Sequence, residues 1–167
     1  MEEGLDLQST DVDQGTAALR TWLRMLACTN LIQSRIRGKL RSRFRTTLPR
    51  FDVLAQLDSA ERHLGRGLTM SELSRRLMVT NGNLTGLVER LVLDKLVSRI
   101  ASPDDGRAQV VSLTPKGRRA FARMVPENRA WIEDMFSVVA PEDWDYLYEL
   151  LGKIKRAVQQ SLVEEDV

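Results

Sequence analysis

The sequence predicts a mainly α-helical fold with one small β-hairpin. Three observations lead to this prediction. Apolar residues recur at intervals of three and four along most of the chain, which is the period of amphipathic helices. One stretch, residues 97–113, instead has two short runs rich in β-branched residues on either side of a polar tip. Hydroxyl residues and prolines stand where the helices are expected to begin.

Length and composition indicate one globular domain that stays in the cytoplasm. The chain has 167 residues, 43% of them hydrophobic and 29% charged, which is ordinary for a folded domain. No apolar run approaches the roughly 20 residues that span a bilayer, so we expect no membrane partner. The first thirteen residues carry five acids, unlike a secretory leader. A single cysteine, Cys28, agrees with a reducing compartment.

The first half of the chain predicts two helices. The first runs from about Thr16 to Phe44, and Pro49 indicates the first turn of the second, which ends near Gly65. The first helix has apolar residues spaced four apart at Ile32, Ile36, Leu40 and Phe44.

The next segment predicts a pair of helices joined by a tight turn. Thr69 and Glu72 have the spacing of a capping box, which opens a short helix that ends at Leu77. Thr80 is expected to cap a second helix over 81–94. That helix has one apolar face, formed by Leu84, Leu87, Val88 and Leu91.

Two strands and two further helices complete the chain. The strands are predicted at 97–101 and 110–113, with the polar tip between them. Thr114 and Pro115 supply the cap and first position of a long helix that extends to about Val138. The last helix is expected from Ala140 to about Leu162. We divide the chain into a flexible tail (1–12), an N-terminal dimerisation helix (13–48), a winged helix unit (49–114) and C-terminal dimerisation helices (115–165).

Charge is unevenly distributed along this sequence. Residues 14–51 contain nine arginines and lysines and no acid, whereas residues 127–167 contain four basic and ten acidic residues. Such asymmetry suggests a polyanionic partner for the basic part. A solvated charged face is the alternative.

The helix pair is typical of a helix-turn-helix, whose second helix enters the major groove of double-stranded DNA. The hairpin that follows is a candidate wing. Arg107 at its tip is a candidate contact to phosphates or the minor groove, and Asp105 is positioned to pair with Arg107 and shape the tip. The candidate DNA-binding residues on the second helix are Thr80, Asn81, Asn83, Thr85 and Arg90.

Two glycines stand within the predicted recognition helix, although each costs roughly 1 kcal/mol in a helix interior. Gly82 and Gly86 lie one turn apart on one face. They indicate either a close approach of the backbone to DNA or close packing against the preceding helix. We favour the approach to DNA.

The stretch from Leu68 to Gly117 resembles the core of the MarR family of transcriptional regulators. The resemblance rests on the helix pair, the Leu-Val-x-Arg-Leu of the second helix, the Asp-x-Arg wing and Leu-Thr-x-x-Gly from Leu113. The upstream Leu-Pro-Arg-Phe-Asp-Val-Leu also resembles the second helix of that family. Two departures stand out. Lys95 replaces a usual glycine, and Gly86 and Gly106 stand where many members have basic residues.

The resemblance implies a homodimer with interlocking terminal helices. It also implies binding to a palindromic operator and release by a small, often aromatic or phenolic, effector. The candidate dimer residues have an intramolecular core role as their alternative. They are Leu19, Leu23, Trp131, Phe136, Trp144, Tyr148 and Leu151.

Arginines and one lysine occupy every second position from Arg35 to Arg45, around an apolar stripe of the first helix. This surface suits solvent, phosphates or an anionic ligand. Our hypothesis is an anionic effector, either an aromatic carboxylate or an acyl-coenzyme A thioester. The candidate effector-binding residues are Trp22, Arg35, Arg43, Phe44 and Phe51.

Nothing in the sequence predicts an enzyme, a metal site or a cofactor. One histidine, His63, and one cysteine do not make a zinc site without organised carboxylates, and no nucleophile elbow is present. Cys28 is expected to be a small buried hydrophobic residue rather than an oxidant sensor. The function is therefore a ligand-responsive repressor. The alternatives are a redox-sensing regulator through Cys28 and a non-specific architectural DNA-binding protein.

Overall fold

The computed structural model describes residues 16–101 and 109–165, with side chains described up to residue 161. The predicted tail and the wing tip therefore lie outside the described residues. The helices are α1 (Ala17–Phe44), α2 (Leu48–Leu64), α3 (Met70–Leu77), α4 (Asn81–Leu93), α5 (Pro115–Phe136) and α6 (Trp144–Glu165). The strands are β1 (Leu68–Thr69), β2 (Val97–Ala101) and β3 (Gln109–Leu113).

The chain forms two compact units, residues 1–128 and 129–167. In the first unit, α2 contacts α1, α3, α4 and β3. Its core is built from fully buried aliphatic side chains, and Phe51 and Phe121 pack with ring centroids 5.4 Å apart. In the second unit, a short 3-10 turn at Pro141–Asp143 precedes α6, so the last helix begins later than predicted. Phe136 stacks on Trp144 there, with ring centroids 5.8 Å apart.

The sheet has three antiparallel strands in the order β1-β3-β2. The sequence predicted β2 and β3 but missed β1, whose two residues are too short for a periodic pattern. Leu68 pairs with Val111, and Val97 pairs with Leu113 at the other edge of β3. Gly67 is required here because a Cβ at this position would lie 2.4 Å from the carbonyl oxygen of Val111. The sheet is thereby held close to the start of α3.

The end of α4 is closed by a Schellman motif. Leu96 N–H donates to the Leu91 carbonyl and Lys95 N–H donates to the Val92 carbonyl, both at 2.9 Å. Lys95 adopts the left-handed conformation with φ 60° that this motif requires, and glycine is the usual residue at that position. The departure noted in the sequence therefore puts a strained residue at the junction with the wing.

The junction is also tied to α5. Thr114 N–H donates to the Leu96 carbonyl at 3.1 Å, and the Thr114 hydroxyl accepts from Gly117 N–H at 3.0 Å as the predicted helix cap. A Cβ on Gly117 would lie 1.9 Å from the Leu96 carbonyl oxygen. The glycine in Leu-Thr-x-x-Gly is thus needed for the close approach of α5 to this junction.

We predict that Lys95→Gly stabilises the protein by roughly 1 kcal/mol, because it removes the cost of a left-handed lysine. Urea denaturation at fixed protein concentration measures the change. Lys95→Ala is the matched control, since it removes the same exposed side chain but retains a Cβ. Equal stability of the glycine and alanine variants would contradict the assignment of strain to Lys95.

Candidate nucleic-acid interface

Helix α3 is fixed at its start by a complete capping box. The Thr69 hydroxyl accepts from Glu72 N–H at 3.2 Å, and the Glu72 carboxylate accepts from Thr69 N–H at 2.8 Å. Arg66 donates to both carboxylate oxygens, at 2.6 and 3.0 Å. These bonds, led by the one from Arg66, lower the pKa of Glu72 to about 2. The cap is therefore ionised at neutral pH.

The turn between α3 and α4 is held by backbone and side-chain bonds. Ser74 donates its hydroxyl to the Val79 carbonyl at 2.6 Å, and Val79 N–H donates to the Ser74 carbonyl at 3.2 Å. Met78 has φ 54° and is 92% exposed. A turn closed this tightly fixes the direction in which α4 leaves α3.

Helix α4 buries one face completely and leaves the opposite face in solvent. Leu84, Val88 and Leu91 are each 0% exposed. Asn81 and Asn83 are exposed, and their side-chain amides bond to nothing in the part of the chain that the structure describes. Each amide therefore offers a free donor and a free acceptor at the N-terminal end of the helix.

The two threonines predicted for this interface have local partners. The Thr80 hydroxyl caps α4 by accepting from Asn83 N–H at 3.5 Å, and the Thr85 hydroxyl donates to the Asn81 carbonyl at 2.8 Å. A hydroxyl has one donor and two acceptor positions, so each retains capacity for a further bond. Arg90 is exposed one to two turns further along, without an ion pair to any described residue.

The two glycines of α4 do not pack against α3. A Cβ at Gly82 or at Gly86 would meet nothing within 4 Å. The packing alternative is therefore wrong, and the close approach to DNA stays a prediction. These glycines leave a shallow, open surface beside the two asparagines.

The wing is described only along its two strands. Asp105 and Arg107, predicted to shape the tip and contact DNA, lie outside the described residues. Arg99 on β2 is exposed and pairs in register with Val111 on β3. On α3, Arg75 and Arg76 are exposed in the last turn before α4. The sequence analysis did not select these two arginines, although two adjacent cations at this position were a usable signal.

The five residues predicted to bind an effector do not come together within one chain. Arg43 and Phe44 line a cleft of about 490 Å³ at the end of α1. Phe51 is buried against Phe121. Trp22 and Arg35 are exposed earlier on α1, and Trp22 lies roughly 30 Å from Arg43 along the helix axis.

Cys28 is exposed in the chain, which makes the expectation of a buried cysteine wrong. His63 is exposed near the end of α2. Within the described ranges, no three histidine, cysteine or acidic side chains are grouped to hold a metal ion. No described helix is long and apolar enough to span a membrane.

Comparison with known proteins gives consistent results. A sequence profile of the MarR family matches residues 46–108, from the start of α2 through the wing. The chain is 30% identical over 146 residues to an uncharacterized HTH-type transcriptional regulator of Bacillus cereus, covering 86% of this chain and 93% of the relative. It is 27% identical over 144 residues to the transcriptional activatory protein BadR of Rhodopseudomonas palustris, covering 83% and 81%.

The fold matches a solved complex as well. Sco3205 of Streptomyces coelicolor, a MarR family transcriptional regulator crystallised with DNA, has a TM-score of 0.76 and 22% identity. The match covers 91% of this chain and 93% of that chain. It confirms the predicted winged helix fold, and the full-length relatives are transcriptional regulators rather than enzymes. The chain thus belongs to the MarR family of DNA-binding transcriptional regulators.

Proposed function

We propose that this protein is a cytoplasmic homodimer that represses transcription from a palindromic operator and is released by a small effector. The proposed effector classes are aromatic carboxylates, phenols and acyl-coenzyme A thioesters. The observation that carries the proposal is the solvent-facing surface of α4. It places two unbonded asparagine amides beside two glycines with open space above them.

This surface suits reading of the major groove. An asparagine amide matches the N6 and N7 atoms of adenine, and the absence of Cβ atoms at Gly82 and Gly86 lets the helix backbone approach the bases. Arg90, further along, suits a phosphate contact that positions the helix without reading sequence. Thr80, Thr85 and the wing residue Arg107 are proposed as additional contacts, with Asp105 shaping the wing.

Exposed apolar residues on α1 and on α6 support a homodimer. On α1 they follow one face at Leu19, Trp22 and Leu26. Helix α6 presents a longer stripe of Leu150, Leu151, Ile154 and Val158, and the candidate dimer residues Trp144 and Tyr148 are also exposed. Trp131, in contrast, is buried within the single chain. Contiguous apolar surface of this kind indicates a partner, and a second copy supplies the two-fold symmetry that a palindrome requires.

Repression is the simplest outcome of operator binding, because a dimer that covers a promoter excludes the polymerase. The relative BadR is named an activator, so the direction requires its own measurement. Transcription in vitro from the native upstream region should fall as purified protein is added and recover with an effector. An increase with added protein would replace repression with activation.

We predict that Asn83→Ala and Arg90→Gln weaken operator binding in different ways. Asn83→Ala should cost about 1–3 kcal/mol and relax preference at one base position, because a base contact is lost. Arg90→Gln should weaken all duplexes alike and reduce the salt dependence by about one phosphate contact. Fluorescence anisotropy on operator and scrambled duplexes over a salt series separates them. Identical behaviour of the two variants would contradict the division of roles.

We predict that Gly82→Ala weakens operator binding even though alanine favours the helix by about 1 kcal/mol. The added methyl group would occupy the space through which α4 approaches the bases. Gly38→Ala is the matched control, since Gly38 is an α1 residue that also has nothing within 4 Å of a built Cβ. Both variants should gain thermal stability, and only Gly82→Ala should lose affinity. Unchanged affinity of Gly82→Ala would contradict the close approach.

The exposed sulfur of Cys28 favours redox sensing as a second candidate function. If it operates, hydrogen peroxide should release the wild-type protein from DNA, and Cys28→Ser should remain bound. Equal responses of wild type and Cys28→Ser would exclude this mechanism.

A further inference from the structure

An open cleft of about 490 Å³ lies between the end of α1, the start of α2 and the first half of α5. Its volume falls within the range of small-molecule sites in proteins. Apolar contacts come from Phe44, Leu54, Leu96 and Met124. Guanidinium groups come from Arg43, Arg45, Arg50 and Arg123. The cleft thus combines apolar walls with four cations.

Two of these four cations are balanced by acids and two are not. Arg43 forms an ion pair with Glu127 at 2.9 Å, and Arg50 forms one with Asp94. Arg45 and Arg123 have no ion pair within the residues that the structure describes. A cleft with uncompensated guanidinium charge favours a carboxylate, which accepts two parallel bonds from one guanidinium.

Arg50 connects this cleft to the DNA-binding helix. It lines the cleft from the first turn of α2, and it pairs with Asp94, the residue that ends α4. The Asp94 carbonyl also accepts from the Lys116 ammonium of α5 at 2.8 Å. The C-terminal end of α4 is therefore held by two cations, one of which faces the cleft.

We propose that the cleft binds a compact organic anion with an apolar body, such as a one- or two-ring carboxylate. The bound anion competes with Asp94 for Arg50, which loosens the end of α4 and weakens DNA binding. The regulatory part rests on the proposed function, whereas the binding site does not. A coenzyme A thioester fits less well, because its nucleotide end would remain outside the cleft.

This arrangement makes a reciprocal prediction. If the ligand lowers operator affinity, the operator must lower ligand affinity by the same factor, because the two share one coupling free energy. Asp94→Asn removes the acid that competes for Arg50. This variant should bind the ligand more tightly, bind the operator more weakly, and show little further loss of operator affinity when ligand is added.

The experiment uses benzoate as the probe and phenol as its neutral counterpart. Calorimetric titration of the full-length protein measures ligand binding without DNA, and fluorescence anisotropy measures operator binding with and without benzoate. Arg123→Gln should weaken benzoate binding about tenfold or more, since it removes a charged hydrogen-bond donor, and leave operator affinity unchanged. Arg41→Gln is the matched control, as an exposed α1 arginine that does not line the cleft.

The outcomes separate the site, the coupling and the proposed function. Weaker benzoate binding in Arg123→Gln but not in Arg41→Gln, with a lost response in Asp94→Asn, would support the inference. Benzoate binding that Arg123→Gln leaves unchanged, or no benzoate binding by the wild type, would overturn the site. A full benzoate response in Asp94→Asn would overturn the coupling. Failure of every form to bind any operator would overturn the proposed function, while calorimetry would still report on the site.

Discussion

The burial of one face of α4 against the rest of its unit governs the arrangement of the whole interface. Leu84, Val88 and Leu91 are completely removed from solvent, and each contributes roughly 1.5–3 kcal/mol by burial. Because a helix has 3.6 residues per turn, fixing these three positions fixes the opposite face in solvent. Asn81, Asn83 and the two glycines are exposed for that reason. The residues proposed to read DNA therefore need no interaction of their own to be presented.

Both ends of α4 are held by bonds to other elements. At its start, the Ser74–Val79 turn follows a capped α3, so the entry angle is determined by several short hydrogen bonds. At its end, a Schellman motif leads into the junction where Leu96 and Gly117 approach closely. Arg50 reaches this end from the cleft side. A ligand near Arg50 acts on the less rigid of the two ends, because a strained lysine and an exposed ion pair close it.

Much of the fold could be predicted from the sequence because local signals agree with it. The capping box at Thr69, the cap at Thr80 and the Thr114–Pro115 start each placed a helix within one or two residues. Strand β1 could not be predicted, since its two residues are defined by pairing with β3. The cleft was missed in part for the same reason. Arg50 and Arg123 belong to different helices, and only the fold brings them to one surface. Cys28 was expected to be buried because its neighbours are apolar, but that face of α1 is exposed in the single chain.

Selection from a pool of random DNA duplexes at fixed, near-physiological salt tests the central claim most directly. Salt must be held constant, because phosphate contacts make affinity strongly dependent on it. If α4 reads bases as half of a dimer, the bound fraction will contain an inverted repeat with half-sites about one helical turn apart. Binding without an enriched sequence would contradict this account and indicate an architectural DNA-binding protein. No binding by folded, ligand-free protein would contradict it altogether.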